Sequence, residues 1–403
     1  MRTVEFDLIS TLLLSMLVLY LGRALVARLS VLKRLNVPAP VVGGVLVAVG
    51  LALADGLLHI KLGFSLGLKD SLLLMFFTTV GLAADARMLK KGGPRLLVFL
   101  AIGAGLIVVQ NLVGISATRM LDLHPVVGLL AGSITLVGGH GTGAAYAGRL
   151  GETMNLQGIM ELTMACATAG LVIGAVLGGP VAEFLLKRYK LEAAAPAVDD
   201  PGHGGPSETH DDAVTAPSLI NTLFIVLLCL AIGKILAERI AHTGFILPDF
   251  VFSLLLAVVI RNAATLTGVF RVSDATVDVV GNVALSLFLV MALMTMRLLD
   301  LVNLAGPLLA ILAAQTLLIA LFAAVVTFRL MGRNYDAAVM AAGQIGFGMS
   351  STACALAIMK SVTDRHGPSP LAFLIVPMVG AFFIDITNAF IIQAYLALPL
   401  FGF

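Results

Sequence analysis

Charged side chains are scarce in this sequence: Asp, Glu, Lys and Arg make up 12% of 403 residues against 59% apolar ones, and the mean hydropathy is +1.05. So little charge cannot cover a soluble body of this size, and one soluble core cannot bury that much apolar surface. The chain reads as a polytopic membrane protein. A net charge of +2 with no isolated basic patch leaves no electrostatic footprint for nucleic acid. Cysteine is nearly missing too. Cys166, Cys229 and Cys354 stand singly in apolar segments, so neither a disulfide framework nor a zinc site is indicated, and packed thiols are the simplest reading. There is no His-Glu-x-x-His, no Gly-x-Ser-x-Gly and no paired-aspartate constellation, so an enzyme is not expected. The first apolar run lacks a small-residue cleavage pattern after it and reads as an uncleaved span.

What the chain has in abundance is long apolar runs, at 8–25, 41–58, 71–89, 96–120, 156–186, 219–236, 250–266, 277–296, 307–330 and 371–398. Most approach or exceed the ~20 residues that a helix needs to cross a bilayer, which predicts ten crossings. Two further stretches, about 125–150 and 336–361, are apolar but interrupted by glycine. Neither can supply two full-length arms, so each is expected to be a re-entrant hairpin. Between the fifth and sixth runs, residues 189–217 are acidic, rich in Gly and Pro, and poor in large apolar side chains, the signature of a disordered linker. Its His203 and His210 read as solvated. The linker divides the chain into repeats at 1–188 and 218–403, in which Ala131-Gly132 finds a counterpart in Ala342-Gly343, Phe77 in Phe288, Leu82 in Leu293 and Gly93-Pro94 in Gly306-Pro307. Five crossings per half is an odd number, so the second copy is expected upside down. The expected fold is therefore all-α, with two inverted-topology repeats of five transmembrane helices and one re-entrant hairpin each. With the linker in the cytoplasm, most of the 25 Lys and Arg residues fall inside, and both termini face outward.

The densest punctuation is Gly132–Ala145, with Gly138, Gly139, Gly141 and Gly143 around His140 and Thr142. Glycine loosens helical backbone, and broken backbone at membrane depth is tolerated where protein or a water-filled cavity satisfies it. The two hairpins enter from opposite faces, so their tips are expected to meet at mid-membrane. Thr142 is expected to cap the second arm of the first hairpin, and Ser351 with Thr352 that of the second. Two helix N-termini with hydroxyls facing one site suit a carboxylate, and carbonyls freed by unwinding suit a hard cation such as sodium. The expected substrate contacts are Ser133, Thr135, Gly139, His140, Gly141, Thr142, Gly143, Gly348, Ser350, Ser351, Thr352 and Asn388. The expected sodium ligands are Glu161, Asp385, Thr135 and Gly346. Carboxylates inside spans are costly in lipid, which singles out Asp385 and Glu161; Asn388 lies one turn from Asp385. Gln110, Asn111 and Gln315 are intramembrane as well, but a lone amide is most simply interhelical glue.

The stretches Ala131–Leu136 with Gly138–Ala145, Met164–Thr168, Asn334–Val339 and Val376–Ile386 closely resemble the bacterial sodium/glutamate symporters, and the resemblance covers nearly the whole chain except the linker. It implies sodium-driven L-glutamate uptake across the inner membrane, with Na+ as coupling ion and no cofactor. It also implies a homodimer and alternating access, a hairpin-bearing transport domain moving against a dimerising scaffold. One departure stands out. Where the family pattern continues Ala-Thr-Pro and then Asn after the second set of glycines, this chain reads Ser351-Thr352-Ala353-Cys354-Ala355-Leu356-Ala357-Ile358, without the Pro or the Asn. A missing amide removes donors and an oxygen ligand, which bears on substrate identity and sodium stoichiometry rather than on fold. A sodium- or proton-coupled carrier of another dicarboxylate or amino acid is the alternative.

Overall fold

A computed structural model describes residues 2–34, 37–58, 60–154, 158–193, 214–241, 249–268, 272–295, 305–349 and 351–399. Much of the linker, including His203 and His210, lies outside them. Among the described residues, seven helices are long and apolar enough to cross a membrane, or eight if the pair Pro370–Ala381 and Ile384–Leu396, bent by 45°, is one span. The helices in chain order are α1 Leu8–Arg28, α2 Ser30–Arg34, α3 Ala39–Leu58, α4 Lys69–Ala83, α5 Ala86–Met120, α6 Pro125–Leu129, α7 Gly139–Met154, α8 Ile159–Tyr189 and α9 Ala216–Ala241. They continue with α10 Asp249–Thr267, α11 Asp274–Met294, α12 Ala305–Phe322, α13 Phe328–Leu330, α14 Tyr335–Met349, α15 Thr352–His366, α16 Pro370–Met378 and α17 Ile384–Leu396.

Two features depart from the reading of the sequence. The third apolar run was expected as one span over 71–89, but α4 stops at Ala83 after 15 residues, about 22 Å of helix, short of the ~30 Å of hydrocarbon. Ala86 onward belongs to α5, which kinks at Gly93 (φ 63) immediately before Pro94. A positive φ that only glycine adopts freely, followed by a ring that removes a donor, separates the first turns of α5 from its spanning part. The second departure is a parallel pair of strands, β1 (Arg2–Phe6) and β2 (Ile60–Phe64), in register from Arg2↔Ile60 to Phe6↔Phe64, with the two Phe rings stacked at 5.6 Å.

The chain forms two compact units, each drawing on both sequence halves: residues 1–85, 143–165 and 212–305 in one, and 86–142, 166–211 and 306–403 in the other. In lipid there is little hydrophobic drive between helices, so close approach through small residues has to hold them together. The first unit does this repeatedly. A Cβ on Gly22 of α1 would run into the Ala39 carbonyl of α3, one on Gly43 of α3 into the Val18 carbonyl of α1, and one on Gly81 of α4 into the Leu254 carbonyl of α10. Phe77, Phe250 and Tyr146 fill its centre, with ring centroids 4.0 Å apart for the first pair and 5.6 Å for the second. Arg261 is buried there between Asp85, at 3.6 Å, and Asp274, at 2.8 Å.

The second unit holds the glycine-rich breaks. Its α5 and α6 cross at Gly114 and Gly128, backbone against backbone, where a Cβ on either would strike the other chain segment. Among the described residues it also contains three π-helical turns, Leu130–Ile134, Ala323–Thr327 and Val379–Phe383. Such turns free backbone groups within helices and concentrate at functional sites.

Candidate functional site

The first break begins after α6, whose N-terminus is opened by Pro125 and capped by His124, Nδ1 accepting from the Val126 amide at 3.3 Å. Within the π turn, Gly132 leaves helical geometry (φ −102, ψ −135) and the chain resumes as helix at Gly139, φ 66. The groups released in between find side-chain partners. Asn111 Oδ1 accepts from the Ser133 amide at 3.0 Å, and Thr135 Oγ1 donates to the Leu130 carbonyl at 2.5 Å. A Cβ on Gly132 would lie 2.9 Å from that Asn111 oxygen, so glycine is what lets the amide come close. Thr142 is not the cap that the sequence suggested. The left-handed residue at Gly139 turns the chain earlier, so α7 starts there and Thr142 sits inside its first turn, its side chain folded over Gly138.

The second break separates α14 from α15. Ser351 caps α15 as expected, its extended backbone (φ −168, ψ 160) presenting Oγ to the Cys354 amide at 3.3 Å. The Ser351 amide itself donates to the Gly346 carbonyl at 3.2 Å. Gly346 has no room for a Cβ, because the Ala355 backbone of α15 packs directly on it. Ser350 lies outside the described residues. A third interruption, the π turn at Val379–Phe383, sits just before Asp385 and Asn388 on α17.

Side-chain amides bind these interruptions together inside one unit. Asn388 Nδ2 donates to the Ser133 carbonyl at 3.1 Å, Gln110 Nε2 to the Gly348 carbonyl at 2.9 Å, and Gln315 Nε2 to the Gln110 carbonyl at 2.8 Å. Gln110, Asn111, Ser133, Gln315 and Asn388 are all at most 1% exposed. On α8, His140 Nε2 meets Thr168 Oγ1 at 3.1 Å, and Gly170 is packed against both Leu136, beside the first break, and the Met349 carbonyl, at the second. Asp385 is partly buried, and among the described residues no hydrogen bond or ion pair reaches its carboxylate.

Of the residues singled out in the sequence, Ser133, Thr135, Gly139, His140, Gly141, Thr142, Gly346, Gly348, Ser351, Thr352, Asp385 and Asn388 fall in this unit, whereas Gly143 and Glu161 belong to the other. Gln110, Asn111 and Gln315 were read as glue. They are glue: Gln110 and Asn111 hold the backbone of the breaks themselves, and Gln315 holds the α5 backbone at Gln110. Their sequence signal was weak: three amides in apolar runs, with partners up to 238 residues away.

The arrangement offers two opposite electrical ends. The N-terminus of α15 at Ser351 and Thr352 presents amides and hydroxyls and favours an anion; the C-terminus of α14 presents carbonyls and favours a cation. A profile of the sodium/glutamate symporter family matches residues 4–368. The sodium/glutamate symporter of Escherichia coli (strain K12) is 47% identical over 398 residues, covering 99% of both chains. That of Haemophilus influenzae is 47% identical over 395 residues, covering 97% of this chain and 98% of its own. The family and these relatives are named for symport rather than for catalysis. With the match running along nearly the full length, the chain belongs to the sodium/glutamate symporter family.

Proposed function

We propose that this protein is a secondary active transporter that couples sodium entry to uptake of L-glutamate across the bacterial inner membrane. The observation that carries the reading is the 47% identity, over nearly the whole of both chains, to proteins named sodium/glutamate symporters. In this reading the two broken segments are re-entrant hairpins of inverted repeats at 1–188 and 218–403, joined by a cytoplasmic linker at 189–217, with both termini outside. The hairpin-bearing part moves as an elevator against a dimerising scaffold. Substrate carboxylate meets the hydroxyls and amides of Ser351, Thr352 and the Gly139–Thr142 turn, with Ser133, Thr135, His140, Gly348 and Asn388 around it. Sodium is held by Asp385 with oxygens of Thr135 and Gly346. The geometry supports this through the helix ends at both breaks, which pair partial positive and partial negative charge.

Labelled glutamate uptake into liposomes, with and without an inward sodium gradient, tests the reading. Accumulation above the external concentration only with the gradient is expected. Equilibration without accumulation would indicate a channel and would refute coupling. The missing Pro and Asn after Thr352 favour one second reading, transport of another dicarboxylate or amino acid, driven by sodium or protons. Competition of uptake by unlabelled aspartate and other dicarboxylates, in sodium and in a proton gradient alone, separates the two.

A further inference from the structure

The C-terminal end of α8 meets the short α13 through a ring contact, Tyr189 against Phe328 with centroids 4.9 Å apart. Basic residues flank that contact on both sides: Arg188 and Lys190 beside Tyr189, and Arg329 beside Phe328, with Arg333 just beyond α13. All four are exposed. Other cations of this unit are paired: Glu183 on α8 accepts from Arg365 at 3.0 Å and faces Lys187 at 3.5 Å, and Lys360 meets Asp364 at 3.4 Å. Among the described residues no carboxylate pairs with Arg188, Lys190, Arg329 or Arg333. Like charges gathered at one contact concentrate a positive potential, which draws an anion from outside the chain. The apolar surface leading to the contact says which kind. On α8, exposed Val176, Pro180 and Phe184 precede Arg188 at intervals of four, which puts them on one face of the helix. From α12 into α13, exposed Leu317, Leu321 and Val325 precede Arg329 at the same interval. Each lipid-facing stripe therefore ends in a guanidinium. Lys190 adds a separate observation: its φ of 50 is left-handed, and the Leu191 amide closes the helix end on the Leu186 carbonyl at 3.0 Å, a position where glycine is the usual residue. The helix dipole favours a cation at that end, but Lys187 and Arg188 already supply one.

We propose that Arg188, Lys190, Arg329 and Arg333 form a headgroup site for an anionic phospholipid whose acyl chains run along the two apolar stripes. Guanidinium forks match phosphate oxygens in geometry as well as charge. A soluble anion would use the cations alone, whereas a phospholipid uses the cations and the stripes together. Bound lipid ties α8 to α13 across the Tyr189–Phe328 contact and steadies this end of the unit. The site is additional to the transport reading and is the same whichever solute the protein carries.

The test uses the full-length protein in detergent, with phosphatidylglycerol as probe and phosphatidylcholine of the same chain length as reference. Native mass spectrometry counts the lipid retained, and thermal unfolding reads the shift that each lipid produces. Phosphatidylglycerol should be retained and should raise the midpoint more than phosphatidylcholine does. The double variant Arg188→Gln with Arg329→Gln should weaken phosphatidylglycerol binding about tenfold or more, whereas Lys360→Gln, which removes a charge already paired with Asp364, should leave it unchanged. Lys190→Gly separates binding from structure. Without lipid it should be at least as stable as wild type, because glycine is unstrained in left-handed geometry, and it should still lose affinity for phosphatidylglycerol. Equal retention of the two lipids would overturn the proposal, as would wild-type binding by the double variant or by Lys190→Gly, or an equal loss in Lys360→Gln. A thermal shift reproduced by inorganic phosphate at the same concentration would also overturn it and assign the cluster to a soluble anion. Should the double variant fail to fold, Lys190→Gly decides. None of these measurements involves sodium or glutamate, so their failure and a failure of the proposed function are told apart.

Discussion

Gly170 on α8 is the point where the two broken segments are brought against the same helix, and replacing it with Ala measures how closely they are held. Glycine inside a helix is less favourable than alanine by about 1 kcal/mol, so the substitution alone should stabilise α8. The added Cβ, however, would run into the Met349 carbonyl and lie 2.7 Å from Leu136 Cδ2. One of those obstacles is backbone, which does not swing aside, and overpacking of this kind costs about 1–3 kcal/mol. The steric term wins, for a net loss of about 1 kcal/mol. Gly50, inside α3, supplies the comparison, since a Cβ there meets nothing within 4 Å. Gly50→Ala should therefore raise stability by about 1 kcal/mol. Thermal unfolding of the two variants in the same detergent should move in opposite directions, to midpoints about 2–3 °C apart. Glutamate uptake should fall in Gly170→Ala and persist in Gly50→Ala. If Gly170→Ala is as stable and as active as Gly50→Ala, the two breaks do not close on α8 there, and the description of the site is wrong.

Removing the Ser351 cap with Ser351→Ala should cost about 1 kcal/mol of stability and weaken glutamate binding, measured by uptake kinetics at fixed sodium; an unchanged KM would detach the α15 N-terminus from the substrate. Asp385→Asn should shift the sodium dependence of uptake, and an identical sodium curve would remove Asp385 from the ligands. Arg261→Met leaves the buried Asp85 without the guanidinium 3.6 Å away, and should destabilise the protein by about 3 kcal/mol; a melting curve like wild type would show that the pair is dispensable. Thr168→Val deletes the hydroxyl that His140 meets and should lower uptake with little loss of stability, whereas Thr168→Ser should retain it.

Long spans such as α1, α8, α9 and α11 could be read from hydrophobic runs alone, because lipid demands some twenty apolar residues and little else. Where a run hides a change of direction, the signal fails: the third span ends at Ala83, and the last residues of its run belong to the next helix, which starts at Ala86 and kinks at Gly93-Pro94. The three π turns have no compositional mark, and the start of α7 depends on one left-handed residue, Gly139, among several glycines that could have supplied it. In the candidate site, Ser351 was legible because a hydroxyl before an apolar helix has a local purpose. Asp385 and Asn388 were legible because polarity inside a span is costly. The pairings of Gln110, Gln315 and Asn388 were not, since each partner lies more than 200 residues away and only folding brings it near.

The tie between Asn388 and Ser133 spans 255 positions, and this has a meaning for biosynthesis. A chain emerging from the ribosome inserts its first break long before the last helix exists, so the Ser133 carbonyl waits in the membrane without its eventual donor. Assembly of this region is therefore a post-translational closing step, and a protein truncated ahead of α17 should be retained by quality control although most of its spans are already in place.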